Sequence, residues 1–169
     1  DTNDGRSTLC RSYRNILGYP EGVSGSHLRR IGKEQASSYG VQFITDEVIE
    51  VKLGLDGTFL LQGKRDGNTY KTLMLLIATG VMDRFPELPC LRECMGLTVF
   101  VCPDCDAFEV KERMTVVLGS GDVGAHMAVT LRSWTSRLLY INHEQVSVSA
   151  ELLDHLQAVG IGYISEPIQ

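Results

Sequence analysis

The sequence predicts an α/β fold, a parallel sheet accompanied by an antiparallel β-meander, and three observations carry that expectation. Short β-prone runs at 47–53, 58–62 and 69–72 are joined by polar turns, Gly54-Leu55-Asp56-Gly57 and 64–68, which is the pattern of a meander. The run 73–78, Leu-Met-Leu-Leu-Ile-Ala, is apolar at every position, as expected of a strand buried on both faces of a parallel sheet. From 114 onward, strand-like and helix-like segments alternate as βαβαβ, the order that builds a parallel sheet.

In chain order, residues 6–25 are rich in Gly, Ser and Pro and read as irregular around Leu17-Gly18-Tyr19-Pro20-Glu21-Gly22. A helix is predicted over 26–39. Leu28, Ile31, Ala36 and Tyr39 share one face, Arg29, Arg30, Lys33 and Glu34 lie outside it, and Gly40 suits the position after the helix end. Residues 41–45 are β-prone, as are the three runs of the meander. The strand predicted at 73–78 ends at Thr79-Gly80 and would deliver a loop to a sheet edge. Residues 82–95 hold two prolines and little periodicity, and read as a connector carrying Cys90 and Cys94. Beyond it come a buried-type strand at 114–118, a glycine-rich turn, an apolar-faced helix to about 134 and a strand at 137–142. Ser149 is placed to cap a helix whose inner face is Leu152, Leu153, Leu156 and Val159; Gly160 ends it, and a short strand follows at 161–164.

Composition narrows the function. The chain has 169 residues, 43% hydrophobic and 22% charged, enough apolar material for a packed core in one domain or in two halves sharing a sheet. Sixteen Lys and Arg against 21 Asp and Glu give a net charge of -5, which repels a phosphate backbone, so no nucleic-acid partner is expected. No apolar stretch approaches the ~20 residues of a membrane span, and the N-terminal residues lack the basic and apolar regions of a secretory signal. Five cysteines, an odd number, fit reduced or catalytic thiols in the cytoplasm better than a disulfide scaffold.

Gly119-Ser120-Gly121-Asp122-Val123-Gly124 is a G-x-G-x-x-G between a strand and a helix, a Rossmann-like arrangement. Gly119 permits the tight turn, Gly121 lets a pyrophosphate approach the backbone at the helix N-terminus, and Gly124 lets helix and strand pack closely. The bland alternative is a tight βα turn that binds nothing. An NAD site calls for an acid about 20 residues on, and Glu144 stands near that place; an NADP site calls for arginine, and Ile141-Asn142-His143-Glu144-Gln145 holds none.

Cys102-Pro103-Asp104-Cys105-Asp106 is the second constellation. Thiols at this spacing can close a reducible disulfide, often with one thiol pKa drawn toward neutrality, and Asp106 could move the proton when a thiolate forms or leaves. The rival is a structural zinc held by Cys90, Cys94, Cys102 and Cys105, although its ligand pairs would be joined by an unusually short loop. Cys10 reads as incidental.

Taken in order, Ala78-Thr79-Gly80, the C-x-x-C-D and the glycine turn resemble the middle of the thioredoxin reductase-like flavoprotein family, from about Arg11 onward. The resemblance implies an FAD-dependent disulfide oxidoreductase made of two partial nucleotide-binding domains, 1–111 for FAD with the meander and 112–169 for NAD(P). It implies that Cys105 faces the flavin, that Cys102 is the more exposed thiol and attacks a partner disulfide, and that Asp106 protonates the leaving thiolate. Asn15, Val48, Ala78, Thr79 and Gly80 would meet FAD. With these FAD residues goes Asp1, matching a ribose-binding acid at the end of the family's second strand, whereas Gly119, Gly121, Asp122, Val123, Gly124, His143 and Glu144 would meet NADP or NAD. No metal is implied. The implied partner is a thioredoxin-like protein or a small dithiol, and the implied assembly a homodimer.

Departures from the family pattern also carry expectations. No second glycine turn precedes Asp1 and no flavin-covering segment follows Gln169, so both ends look cut, and weak or absent FAD binding is expected of these 169 residues. Proline after the first cysteine, with no arginine pair after the second nucleotide strand, resembles dithiol oxidases and members fed by donors other than NADPH. From another class, a noncatalytic nucleotide-binding or zinc-stabilised module remains the alternative.

Overall fold

The structure is a computed structural model that describes residues 5–65, 67–81 and 83–168. Its elements are α1 (Arg6–Leu9), α2 (Gly25–Ser38), β1 (Val48–Leu53), β2 (Phe59–Gly63), β3 (Thr69–Thr72), α3 (Pro103–Asp106), a 3-10 turn (Ala107–Val110), β4 (Thr115–Gly119), α4 (Gly121–Leu131), β5 (Leu138–Asn142), α5 (Ala150–Ala158) and β6 (Gly162–Ile164). Two compact units form: one built on Arg30–Asp83, the other combining Arg6–Arg29 with Arg84–Gln169.

The first unit contains the predicted meander. β1, β2 and β3 pair antiparallel in sequence order, with Val51 opposite Leu61 and Leu61 opposite Tyr70. Asp56 accepts from the Thr58 hydroxyl at 2.7 Å and from Lys71 at 2.9 Å, which fixes the β1–β2 turn. These donors, the Thr58 hydroxyl foremost, draw the Asp56 carboxyl down to about 2.

Two predicted strands do not form. Residues 41–45 are exposed and unpaired by any strand, because Val41 N–H closes back on the α2 carbonyl of Ala36, and Asp46 takes the N–H groups of Glu47 and Arg65. Residues 73–78, expected as a buried parallel strand, are irregular, and Leu76 is 88% exposed. The Thr72 hydroxyl donates to the Met74 carbonyl at 2.9 Å and accepts its N–H, so local side-chain bonds end β3, and no described strand lies alongside to supply a ladder.

The second unit holds the βαβαβ. β4, β5 and β6 are parallel in that order, with Val117 opposite Tyr140 and Tyr140 opposite Tyr163. Val117, Leu138 and Tyr140 from the sheet pack with Ala125 and Ala128 of α4 and Leu152 and Leu156 of α5, and this is the main core. α4 ends at Leu131, short of 134, because its last turn tightens: Trp134 N–H reaches Leu131 and Arg132 N–H reaches Val129. Ser149 does stand at the N-cap of α5, yet its side chain makes no capping bond; its backbone N–H instead donates to Asp122 Oδ1 at 2.7 Å. Among the described residues no helix is long and apolar enough to cross a membrane.

Candidate active site

The dithiol turn is shaped by Pro103. Proline disfavours helix in the residue before it and is suited to the first helical position, so Cys102 is extended (φ -126°, ψ 108°) and α3 starts immediately after. One tight turn then folds back: the N–H groups of Cys105 and Asp106 reach the Cys102 carbonyl at 3.1 and 2.9 Å. The two Sγ atoms meet at 2.7 Å as free thiols, both half-buried. Burial, then the Cys102 thiol, pushes Cys105 up to about 12.

Asp106 is buried at the end of α3. Burial raises its pKa, while the Cys10 thiol and the Cys102 backbone N–H bond the carboxylate and pull the other way. Cys10, which the sequence marks as incidental, is therefore part of the site: its Sγ donates to Asp106 Oδ1 at 3.3 Å across 96 residues. Two further contacts tie the same N-terminal segment to the dithiol turn. Asn15 Nδ2 donates to the Asp104 carbonyl at 2.8 Å, and the Arg14 guanidinium lies 4.9 Å from the Phe108 ring centroid. No spacing rule in a single sequence signals contacts of this range.

The glycine turn lies in the same unit. A side chain on Gly119 would strike Gly124 Cα, and one on Gly124 would strike the Tyr140 ring, so both glycines serve close strand–helix packing. Gly121 has φ +52°, and its N–H donates to Asn142 Oδ1 at 3.0 Å, while Tyr140 Oη donates to its carbonyl at 2.7 Å. Asn142 is fully buried at the end of β5, and its Nδ2 donates to the Val146 carbonyl at 2.7 Å. Asp122 holds the Ser149 N–H, and Val123 is exposed on the first turn of α4. His143 turns its Nδ1 to the Ile168 N–H at 2.8 Å, and Glu144 pairs with Arg84 at 3.2 Å. One amide at the apex of this turn, that of Gly121, already has an internal acceptor.

Val48, Ala78, Thr79 and Gly80 belong to the other unit and are all exposed; a Cβ on Gly80 would meet nothing within 4 Å. These four residues do not by themselves enclose a flavin. Asp1 lies outside the described residues, as does Met82 at the start of the connector. Cys90 is exposed and Cys94 half-buried, and among the described residues no group of three or more His, Cys, Asp and Glu is arranged for a metal ion, so the four-cysteine zinc alternative is not assembled.

A parallel βαβαβ with a glycine turn, preceded by a close dithiol beside a buried acid, defines an α/β protein of the nucleotide-fold class. The chain belongs to the pyridine nucleotide-disulphide oxidoreductase family, whose profile matches residues 8–166. It is 31% identical over 145 residues to the thioredoxin reductase of Coxiella burnetii, covering 86% of this chain and 44% of that protein. It is 25% identical over 155 residues to the thioredoxin reductase of Aquifex aeolicus, covering 91% and 47%. The chain thus spans about half the length of the curated relatives it matches. Among solved structures, HlmI matches with TM-score 0.85 and 26% identity over 100% of this chain and 53% of that one. The thioredoxin reductase of Streptococcus pyogenes matches with TM-score 0.85 over 98% and 55%; at 20% identity it speaks for the fold alone.

Proposed function

We propose that this chain carries the redox dithiol of a flavin-dependent thiol-disulfide oxidoreductase of the thioredoxin reductase kind, with residues 112–169 as its pyridine-nucleotide part. The observation that carries the reading is the 2.7 Å approach of Cys102 and Cys105 beside buried Asp106. FAD, when bound, would supply the electron pair that reduces the Cys102–Cys105 disulfide.

The chain's own residues do the rest. Asp106 takes the Cys102 proton, the resulting thiolate attacks one sulfur of the partner disulfide to form a mixed disulfide, and the departing partner sulfur takes that proton back from Asp106. Cys105 then attacks Cys102 Sγ, losing its proton as the second partner thiol leaves; two protein thiols and one partner disulfide become one protein disulfide and two partner thiols. The partner is a thioredoxin-like protein or a small dithiol. In the protein carrying bound flavin, Cys102→Ser and Cys105→Ser each abolish turnover of a disulfide substrate; turnover retained in either variant contradicts the assignment.

A second reading, a dithiol oxidase or a member fed by a donor other than NADPH, is favoured by one specific arrangement. The 141–145 segment offers no arginine, Glu144 is engaged by Arg84, and Asn142 accepts the Gly121 N–H. Mixing the flavin-bearing protein with NADPH and with NADH separately distinguishes the two, since rapid flavin reduction by NADPH removes this second reading.

A further inference from the structure

Cys10 has no part in the sulfur chemistry just described, yet it is packed into its centre. It is 5% exposed, and its thiol donates to Asp106 Oδ1 at 3.3 Å. Burial, together with the neighbouring Asp106, pushes Cys10 up to about 12, so it holds its proton and serves as a donor rather than as a nucleophile. The groups facing Asp106 are few. Cys10 and Tyr13 come from the N-terminal segment, Cys102 and Cys105 from the dithiol turn, and Glu109 from the 3-10 turn that follows. Of these, the Cys10 thiol and the Cys102 backbone N–H stabilise the carboxylate, whereas Glu109 and burial disfavour it. The backbone bond is fixed by the turn itself. The Cys10 bond comes from elsewhere in the chain, in a segment that Asn15 and Arg14 also fasten to the dithiol turn.

Resting on the reading of Cys102 and Cys105 as the redox pair, we propose that Cys10 is a positioning residue: its thiol orients the Asp106 carboxyl and tunes how readily that group gives up and regains the proton used in disulfide exchange. Donation to a carboxylate favours the charged form, so removing the donor makes the acid hold its proton to higher pH. Serine keeps a donor, and a hydroxyl is a stronger one than a thiol. A packing role alone would change stability and leave the titration where it was.

The test is the carboxyl titration of Asp106, followed by carbon NMR in the reduced 169-residue chain, with the pH profile of exchange against a small aromatic disulfide recorded alongside. Cys10→Ala raises the Asp106 midpoint by about half a pH unit or more, and Cys10→Ser moves it below that of the unaltered chain. The exchange profile shifts in the same directions. An unmoved midpoint in folded Cys10→Ala overturns the proposal. Should the alanine variant not fold, the serine variant decides alone, and a midpoint equal to or above that of the unaltered chain overturns it. If the unaltered chain exchanges no disulfide at any pH, the redox reading fails separately, while the NMR midpoint still reports whether Cys10 tunes Asp106.

Discussion

The ring of Tyr140 fills the space that a side chain at Gly124 would need: a Cβ there would lie 2.5 Å from Tyr140 Cε2 and 2.6 Å from its hydroxyl oxygen. Tyr140 is fully buried and its hydroxyl is fixed on the Gly121 carbonyl, so the ring has nowhere to go. Gly124→Ala therefore forces α4 away from β5. The expected cost is about 1–3 kcal/mol, the range for overpacking a well-filled core, read as a lower urea midpoint without a change of slope.

Asn142 is the polar hub of the same turn. At 1% exposure it accepts the Gly121 N–H and donates to the Val146 carbonyl. Asn142→Leu keeps the number and branching of side-chain heavy atoms and strands both backbone groups, each at about 1–3 kcal/mol. Urea unfolding should show a loss of that size, larger than the loss from Asn142→Asp, which still offers an acceptor to Gly121.

The buried acid gives a pH dependence with a definite sign. Asp106 has its pKa raised above 3.8, chiefly by burial, so the native state binds more protons than the unfolded chain in the window just above the ordinary carboxylate range. Its contribution is present in full below that range and is lost as pH rises through the native value. Asp106→Asn should flatten this decline in stability, measured by urea unfolding at a series of pH values. A decline of unchanged steepness would assign it to other groups.

Thiol reactivity should separate the cysteines. Cys10 and Cys105 are both pushed up to about 12, whereas an ordinary thiol titrates near 8.5, which lowers their thiolate fraction on the order of 1,000-fold at pH 8. Brief iodoacetamide treatment of the reduced chain, mapped by mass spectrometry, should label exposed Cys90 well before Cys10 or Cys105.

What the sequence made legible was local. The meander follows from β-prone runs separated by Gly and Asp turns, and the glycine turn from three glycines whose spacing matches a strand-to-helix bend; both formed where expected. Residues 73–78 depart from the expected strand because an apolar run specifies burial but not the strand that would pair with it, and the Thr72 hydroxyl redirects the chain. Cys102, Cys105 and Asp106 come together because they lie within one turn. Cys10 joins them only through the fold, 96 residues away from Asp106, and Asn142 stood in a segment read for its charges rather than for its amide.

The proposed function requires Cys102 and Cys105 to be the pair that exchanges electrons. Equilibrating the 169-residue chain across a series of oxidised and reduced dithiothreitol mixtures, then locating each disulfide by peptide mass, tests this directly. A single reversible transition that joins Cys102 to Cys105 and leaves Cys10, Cys90 and Cys94 as thiols is the predicted result. Oxidation that joins other cysteines first, or a folded chain whose Cys102 and Cys105 stay reduced throughout, would contradict it.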